Sequence, residues 1–140
     1  MPQPDHPELT VDKLRQTASR IENYVNLTPI HRWQDPWVID QVGDGELYLK
    51  LEFLQQTGSF KARGALNNAL TRPKVNRNQG VTAVSAGNHA IAVAYAAKTL
   101  GISAKVLMHR KANPFRIAKC QHYGAEVVLV DDITRAFALL

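Results

Sequence analysis

The 140-residue chain contains a single cysteine and no long apolar run, and each scarcity excludes a class of protein. With one thiol, Cys120, the chain forms neither an internal disulfide nor a cysteine-based zinc site. No stretch approaches the ~18 apolar residues that a membrane-spanning helix needs, and the polar N-terminus does not resemble a targeting signal. We therefore expect a soluble, untargeted protein of the cytoplasm, and we interpret Cys120 as a packing residue.

Positive charge is in modest excess, because 17 Lys and Arg against 12 Asp and Glu give a formal net charge of +5. The basic residues are scattered and form no stripe with interleaved aromatic residues, so we expect no nucleic-acid binding. We expect the local positive charge to bind a small anionic ligand rather than a nucleic acid. No metal-ligand spacing is found among four of the histidines, which are His6, His31, His109 and His122. We therefore predict no metal site.

Helical and strand patterns alternate along the chain. Apolar residues spaced by three and four predict a helix from Thr10, its N-cap, to about Val25, and residues 33–45 are loop-like. Period-two alternation then predicts a strand over residues 47–53. The further expected elements are a helix over 60–70, a strand over 81–84, a helix over 88–100, a strand over 104–108, a helix over 114–123, a strand over 126–130 and a helix starting at 134. Strands joined by helices imply an α/β fold with a parallel sheet and right-handed crossovers.

The first motif is the turn Thr57-Gly58-Ser59-Phe60 followed by Lys61 at the start of a predicted helix. The helix dipole disfavours an ammonium at this end by about 0.3–1 kcal/mol, whereas a neutral amine or a Schiff base escapes that penalty. Such an amine condenses with an aldehyde such as pyridoxal phosphate and moves protons at a substrate α-carbon. Taken alone, however, a Ser-x-Lys at a helix start is more often an exposed lysine.

The second motif is Ser85-Ala86-Gly87-Asn88-His89, between a predicted strand and an alanine-rich helix. Backbone N–H groups at a helix N-terminus form an anion cradle, and three side chains, Ser85, Asn88 and His89, add donors suited to a carboxylate or a ring oxygen. The motif has neither the Walker spacing of a phosphate-binding loop nor the Gly-x-Gly-x-x-Gly of a dinucleotide site, so nucleotide binding is not expected. Taken alone, such a motif is more often an Asn cap with a surface histidine. We expect both motifs at strand-to-helix transitions, where open α/β sheets bind ligands.

Together, the two motifs resemble the fold type II pyridoxal-phosphate enzymes, a tryptophan-synthase-β-like α/β fold, and most of all the threonine/serine dehydratase and serine racemase family. Further segments resemble that family in the same order, over roughly residues 10–135: Leu27-Thr28-Pro29-Ile30, Leu49-Lys50-Leu51-Glu52 and Tyr123-Gly124-Ala125-Glu126-Val127-Val128. The resemblance implies that Lys61 binds pyridoxal 5'-phosphate as a Schiff base and removes the substrate α-proton, with Phe60 against the pyridine ring and Asn88 bonded to the ring oxygen. It also implies that the substrate carboxylate is held by Ser85, Gly87 and His89.

The reaction that this resemblance implies is β-elimination, which converts L-serine or L-threonine into a 2-oxo acid and ammonia. Ala86 stands where the racemase has a second serine as acid/base, so racemisation is disfavoured. Lys61-Ala62-Arg63 departs from the Lys-Asp-Arg of the sulfhydrylase branch, so β-replacement is disfavoured too. Two alternatives stay open: a non-catalytic fragment or partner subunit of this fold, and a threonine-synthase-like or other amino-acid enzyme of the same fold.

Family members are more than twice as long as this chain. The resemblance implies that residues 1–46 belong to the N-terminal arm of a large domain and residues 47–140 to a small α/β domain. The phosphate-binding loop and the pyridine-nitrogen contact are expected in an absent C-terminal part. We therefore expect a truncated form with impaired cofactor binding and activity, whose full-length relatives are homo-oligomers. Trp33 and Trp37 are either core anchors or an interface patch.

Overall fold

The computed structural model of the protein describes residues 9–73 and 79–136. Its helices and strands, in chain order, are α1 (Val11–Ile21), β1 (Ile30–Trp33), α2 (Pro36–Val42), β2 (Leu47–Lys50), α3 (Lys61–Thr71), β3 (Val81–Val84), α4 (Asn88–Leu100), β4 (Ala104–His109), α5 (Pro114–His122), β5 (Glu126–Val130) and α6 (Ile133–Ala136). Short 3-10 helices lie at Glu22–Tyr24 and Glu52–Leu54. Within these ranges, no helix is both long enough and apolar enough to cross a membrane.

The second half of the described chain is a parallel α/β sheet, as predicted. Strands β3, β4 and β5 lie side by side in that order, with Ala83 opposite Val106 and Val106 opposite Val127. The central strand β4 is apolar and buried at consecutive positions, which is typical of a parallel strand covered on both faces. Helices α4 and α5 cover one apolar cluster of this sheet, and α6 also contacts β4.

Helix α4 is buried on opposite sides, and its alanines allow close approach from both. One side packs against the sheet in a cluster that includes Ile91, Val106, Met108 and Cys120. The other side contributes Ala92 and Ala96 to a second cluster with α1 and α3. Cys120 is fully buried, and burial raises the pKa of its thiol above the ordinary value of 9.0. Its interpretation as a packing residue is therefore confirmed.

In the first third of the chain, the structure differs from the helices and strands that the sequence predicts. Residues 33–45 are not a plain loop, because α2 begins at Pro36 with its cap Asp35 accepting from the Trp37 backbone N–H at 2.9 Å. Strand β1 is an addition to the predicted elements, and it pairs antiparallel with β2, so that β2 does not join the parallel sheet. All four residues of β1 are exposed, so it lacks the alternation that reveals a strand.

Element ends differ from the predictions at a few points. The predicted strand over residues 47–53 ends at Lys50, because the chain turns into a 3-10 helix at Glu52. Helix α1 ends at Ile21, although its predicted cap is confirmed by Thr10 Oγ1, which accepts from the Lys13 backbone N–H at 3.2 Å. The last predicted helix begins at Ile133, and residues 137–140 lie outside the described residues. The division of the chain at residue 46 stays a prediction.

Candidate active site

Lys61 is the first residue of α3, and its side chain is exposed. Its amine Nζ lies 5.0 Å from the centroid of the Phe60 ring, and within the described residues it makes no ion pair. Buried Thr57 and Ser59 anchor the preceding turn. The expectation that a strand leads directly into this turn is wrong, since residues 51–60 separate β2 from α3.

An ion pair holds the start of α3. Arg63 donates two hydrogen bonds to the Glu52 carboxylate, from Nε at 2.9 Å and from Nη2 at 2.7 Å, and Thr28 Oγ1 donates a third at 2.6 Å. The bond from Arg63 is the main cause that lowers the pKa of Glu52 below its ordinary value of 4.5, although partial burial opposes it. The carboxylate in turn raises the pKa of Arg63. The pair therefore stays charged at neutral pH.

A second set of hydrogen bonds joins the segment before α3 to Asn26, which precedes β1. The buried Gln55 side chain accepts from the Asn26 backbone N–H at 2.8 Å and donates to the Asn26 carbonyl at 2.9 Å. Gln56 Nε2 donates to Asn26 Oδ1 at 2.9 Å. Segments that are distant in sequence thus hold residues 51–60 in place without a regular sheet.

The second motif lies where the sequence predicted it, directly between β3 and α4. The Ser85 backbone N–H donates to the Leu107 carbonyl at 3.1 Å, so the turn continues the edge of the sheet. Ser85 Oγ accepts from the Gly87 backbone N–H at 3.2 Å. The N-cap of α4 is Gly87, which has no side chain to cap the helix, so the interpretation of Asn88 as the cap is wrong. Asn88 and His89 are not buried.

Helix α5 joins the two motifs, whereas the groove beside them takes one of the predicted site residues. His89 and Gly64, one turn into α3, line this groove of about 280 Å³ between α3, β3 and α4, and Lys61 is not part of its lining. From helix α5, Lys119 Nζ donates to the Thr57 carbonyl at 3.3 Å, and Arg116 Nη1 donates to the Ala86 carbonyl at 3.4 Å. These two α5 residues were not among the predicted site residues.

The residues of the first turn fit the aldehyde end of pyridoxal phosphate. Lys61 presents an accessible amine, and the Phe60 ring beside it is 58% exposed, which leaves an apolar face for an aromatic ring. Ser59 Oγ is buried and has no hydrogen-bond partner among the described residues. A ligand bound at this turn would supply the missing partner of that hydroxyl.

Comparisons with known proteins agree with this geometry. The family described as "Pyridoxal-phosphate dependent enzyme" matches residues 21–140. A phenylserine dehydratase of Ralstonia pickettii is 48% identical over 119 residues, which are 85% of this chain and 36% of the relative. An L-threonine ammonia-lyase of Thermotoga maritima is 40% identical over 125 residues, 89% of this chain and 30% of the relative. The structure of maize serine racemase superposes with a TM-score of 0.77 at 34% identity, over 87% of this chain and 36% of that one.

The chain therefore belongs to the family of pyridoxal-phosphate-dependent enzymes. Its fold is the fold type II architecture of serine racemase and threonine deaminase, and its relatives are amino-acid ammonia-lyases, dehydratases and racemases. The predicted resemblance, fold class and cofactor are thus confirmed. The chain spans about a third of the length of the curated relatives it matches, 36% of the first and 30% of the second.

Proposed function

We propose that this chain supplies the lysine-bearing part of an enzyme that eliminates water from L-serine or L-threonine to give a 2-oxo acid and ammonia. The observation that carries the proposal is the accessible Lys61 amine at the start of α3, on a turn that α5 joins by hydrogen bonds to the turn at Gly87. The similarity to a phenylserine dehydratase and an L-threonine ammonia-lyase supports the reaction class, because both names give a 3-hydroxy amino acid as the substrate, one with dehydration and the other with ammonia release.

In this proposal, pyridoxal phosphate, when bound, supplies the electron sink for bond breaking at the substrate α-carbon. Lys61 would hold the cofactor by its aldehyde group, and its amine, when free of the cofactor, would accept the substrate α-proton. Phe60 would pack against the pyridine ring, and the Asn88 amide would donate to the ring oxygen. Both side chains are exposed, so a ligand can reach them.

The turn from Ser85 to His89 holds the substrate carboxylate. The Gly87 backbone N–H is occupied by Ser85 Oγ, an arrangement that leaves the Ser85 hydroxyl proton free to donate. Gly87 has no side chain and so leaves room for the carboxylate, and His89 adds a donor at the N-terminus of α4, where the helix dipole favours an anion. A carboxylate fixed there orients the α-proton toward Lys61.

Elimination is favoured over racemisation by one side chain. Racemisation needs a second acid/base on the opposite face of the substrate, and Ala86 has no group that transfers a proton.

Two rival proposals stay open, a non-catalytic partner of the same fold and a threonine-synthase-like enzyme. Two experiments distinguish these rivals from the elimination of water.

The first experiment tests the lysine. Pyridoxal phosphate is added to the 140-residue chain, the visible absorbance is recorded before and after borohydride, and any stable adduct is located by mass spectrometry. We expect the adduct on Lys61, its loss in Lys61→Ala and its retention in Lys105→Ala, which removes another exposed lysine. A folded chain that forms no adduct at Lys61 would favour the non-catalytic partner.

The second experiment tests the reaction. Residues 1–140 replace the matching part of the Thermotoga maritima relative, and the chimera is assayed for 2-oxo acid and ammonia from L-serine and L-threonine. We expect turnover that Lys61→Ala abolishes, and replacing Cys120 by alanine should leave it nearly intact because that thiol is buried in the core cluster with Val106 and Met108. Turnover of a phosphorylated substrate alone would favour the threonine-synthase type.

A further inference from the structure

One face of helix α5 reaches both functional turns. Arg116 and Lys119 are three positions apart, and Tyr123 follows four positions later, so the three side chains lie on one side of the helix and its C-terminal end. Each donates to a backbone carbonyl: Arg116 to Ala86 at 3.4 Å, Lys119 to Thr57 at 3.3 Å and Tyr123 Oη to Gln56 at 3.3 Å. Two of the accepting residues precede Lys61, and the third precedes Gly87.

The helix that carries these donors is itself well anchored. Cys120, on another side of α5, is fully buried in the cluster beneath the sheet. The Tyr123 ring packs edge-on against Tyr95 with centroids 5.5 Å apart, and the Tyr95 hydroxyl donates to the Tyr24 carbonyl at 2.7 Å. Burial is the main cause that raises the pKa of Tyr123 above its ordinary value of 10.0, so the phenol stays a donor throughout the neutral range. Because these contacts anchor α5, the position of the helix fixes the carbonyl groups to which its side chains donate.

We propose that Arg116, Lys119 and Tyr123 are positioning residues that set the separation between the Lys61 turn and the Gly87 turn. The inference rests on the proposed function, which assigns the amine to one turn and the substrate carboxylate to the other. Proton transfer between an amine and a substrate fixed by its carboxylate depends steeply on that separation. None of the three side chains is required to touch the substrate, because each acts through a backbone carbonyl.

Hydrogen exchange tests the positioning without any cofactor. Amide exchange of the full 140-residue chain is followed by mass spectrometry in peptides that cover residues 55–61 and 85–89. Lys119→Met and Tyr123→Phe should speed exchange in the first peptide, and Arg116→Met in the second, each by roughly fivefold, the effect of losing one hydrogen bond. The matched control is Lys105→Met, which removes an equal charge from the exposed pair with Glu126 and should leave both peptides unchanged.

A second measurement connects positioning to the reactive amine. With pyridoxal phosphate as the probe and borohydride as the trap, the share of adduct on Lys61 relative to all other lysines should fall several-fold in Lys119→Met. Lys119→Arg keeps a cationic donor at this position and should restore the share, a rescue that a general loss of stability would not produce. Thermal unfolding of each variant identifies any that fails to fold.

The outcomes are decisive for the inference and for the proposed function separately. Unchanged exchange in both peptides of folded variants would overturn the positioning role, and so would an unchanged share of Lys61 adduct in Lys119→Met. If the unsubstituted chain forms no adduct at Lys61, the non-catalytic partner is favoured over the proposed function, and the exchange experiment still decides whether α5 positions the turns.

Discussion

Glu52 shows how a single carboxylate connects the lysine-bearing turn to the rest of the chain. Its side chain is only 16% exposed, and it accepts hydrogen bonds from Arg63 and Thr28. Because its pKa in the folded protein is lowered, the carboxylate contributes stability above its ordinary value of 4.5. That contribution is lost as the pH falls from 4.5 through the lowered pKa of the folded state.

We predict that Glu52→Gln lowers the free energy of unfolding by about 1.5–3 kcal/mol at neutral pH, because it leaves Arg63 without its charged acceptor. The loss should shrink in acid, where the unsubstituted carboxyl also becomes neutral. Urea unfolding at neutral pH and at about pH 3 measures both values. As a control, Asp131→Asn breaks an exposed pair with Arg110 and should change stability little. An equal loss at both pH values would contradict the role of the Glu52 charge.

Gly80, in the turn before β3, is a glycine that backbone conformation and close packing both require. Its φ is 77°, and a Cβ on it would lie 2.8 Å from the Ser103 carbonyl oxygen and against Ser103 Oγ. The same carbonyl accepts from the Val81 backbone N–H at 2.9 Å, which starts the pairing of β3 with β4. Gly58 has a similar φ of 78° but nothing within 4 Å of its added Cβ.

We predict that Gly80→Ala lowers the free energy of unfolding by about 2–4 kcal/mol, since left-handed backbone strain adds to a clash with main chain. Gly58→Ala suffers only the backbone strain and should cost about 1–2 kcal/mol. Chemical denaturation of the two variants separates the contributions. Equal losses would show that Ser103 moves aside at little cost.

For the chain as a whole, apolar surface is divided unevenly between its halves. The interior around α4 is closed, and Leu66 is 0% exposed. Around the β1–β2 hairpin, in contrast, large apolar side chains face outward: Leu27 is 95% exposed, Trp37 70% and Ile30 65%. Trp33 is 43% exposed as well, so the interpretation of the two tryptophans as core anchors is wrong in the described structure. Several large exposed apolar side chains in one part of a chain favour a surface that contacts another protein surface.

We predict that the combined change Leu27→Ser, Ile30→Thr and Trp37→Gln reduces the binding of a hydrophobic dye to the chain while each substitution alters stability by less than about 0.5 kcal/mol. Leu66→Ala, in contrast, should cost about 2–5 kcal/mol because it leaves a cavity between α3 and α4. Dye fluorescence and urea unfolding measure the two effects. Strong destabilisation by the triple change would show that these side chains are packed in solution.

Much of the fold is determined by local patterns in the sequence. The predicted bounds of β3, α4 and β5 match the structure, because each element has an apolar periodicity that its own residues display. The motif residues around Lys61 and Gly87 are local too, which is why a family resemblance in the sequence is enough to predict them as site residues. Helix α2 has only seven residues, too few for a period of 3.6 to stand out.

Only the tertiary structure decided which distant segments meet. The pairing of β1 with β2, the Arg63–Glu52–Thr28 network and the contacts of α5 with both turns join residues with no periodic relation in sequence. Such contacts form because backbone groups and partly buried side chains take hydrogen-bond partners from whichever segments the packed helices bring near. The sequence by itself therefore predicted the chemistry of the site, and the packing of α4 together with the contacts of α5 determined how the two turns are held.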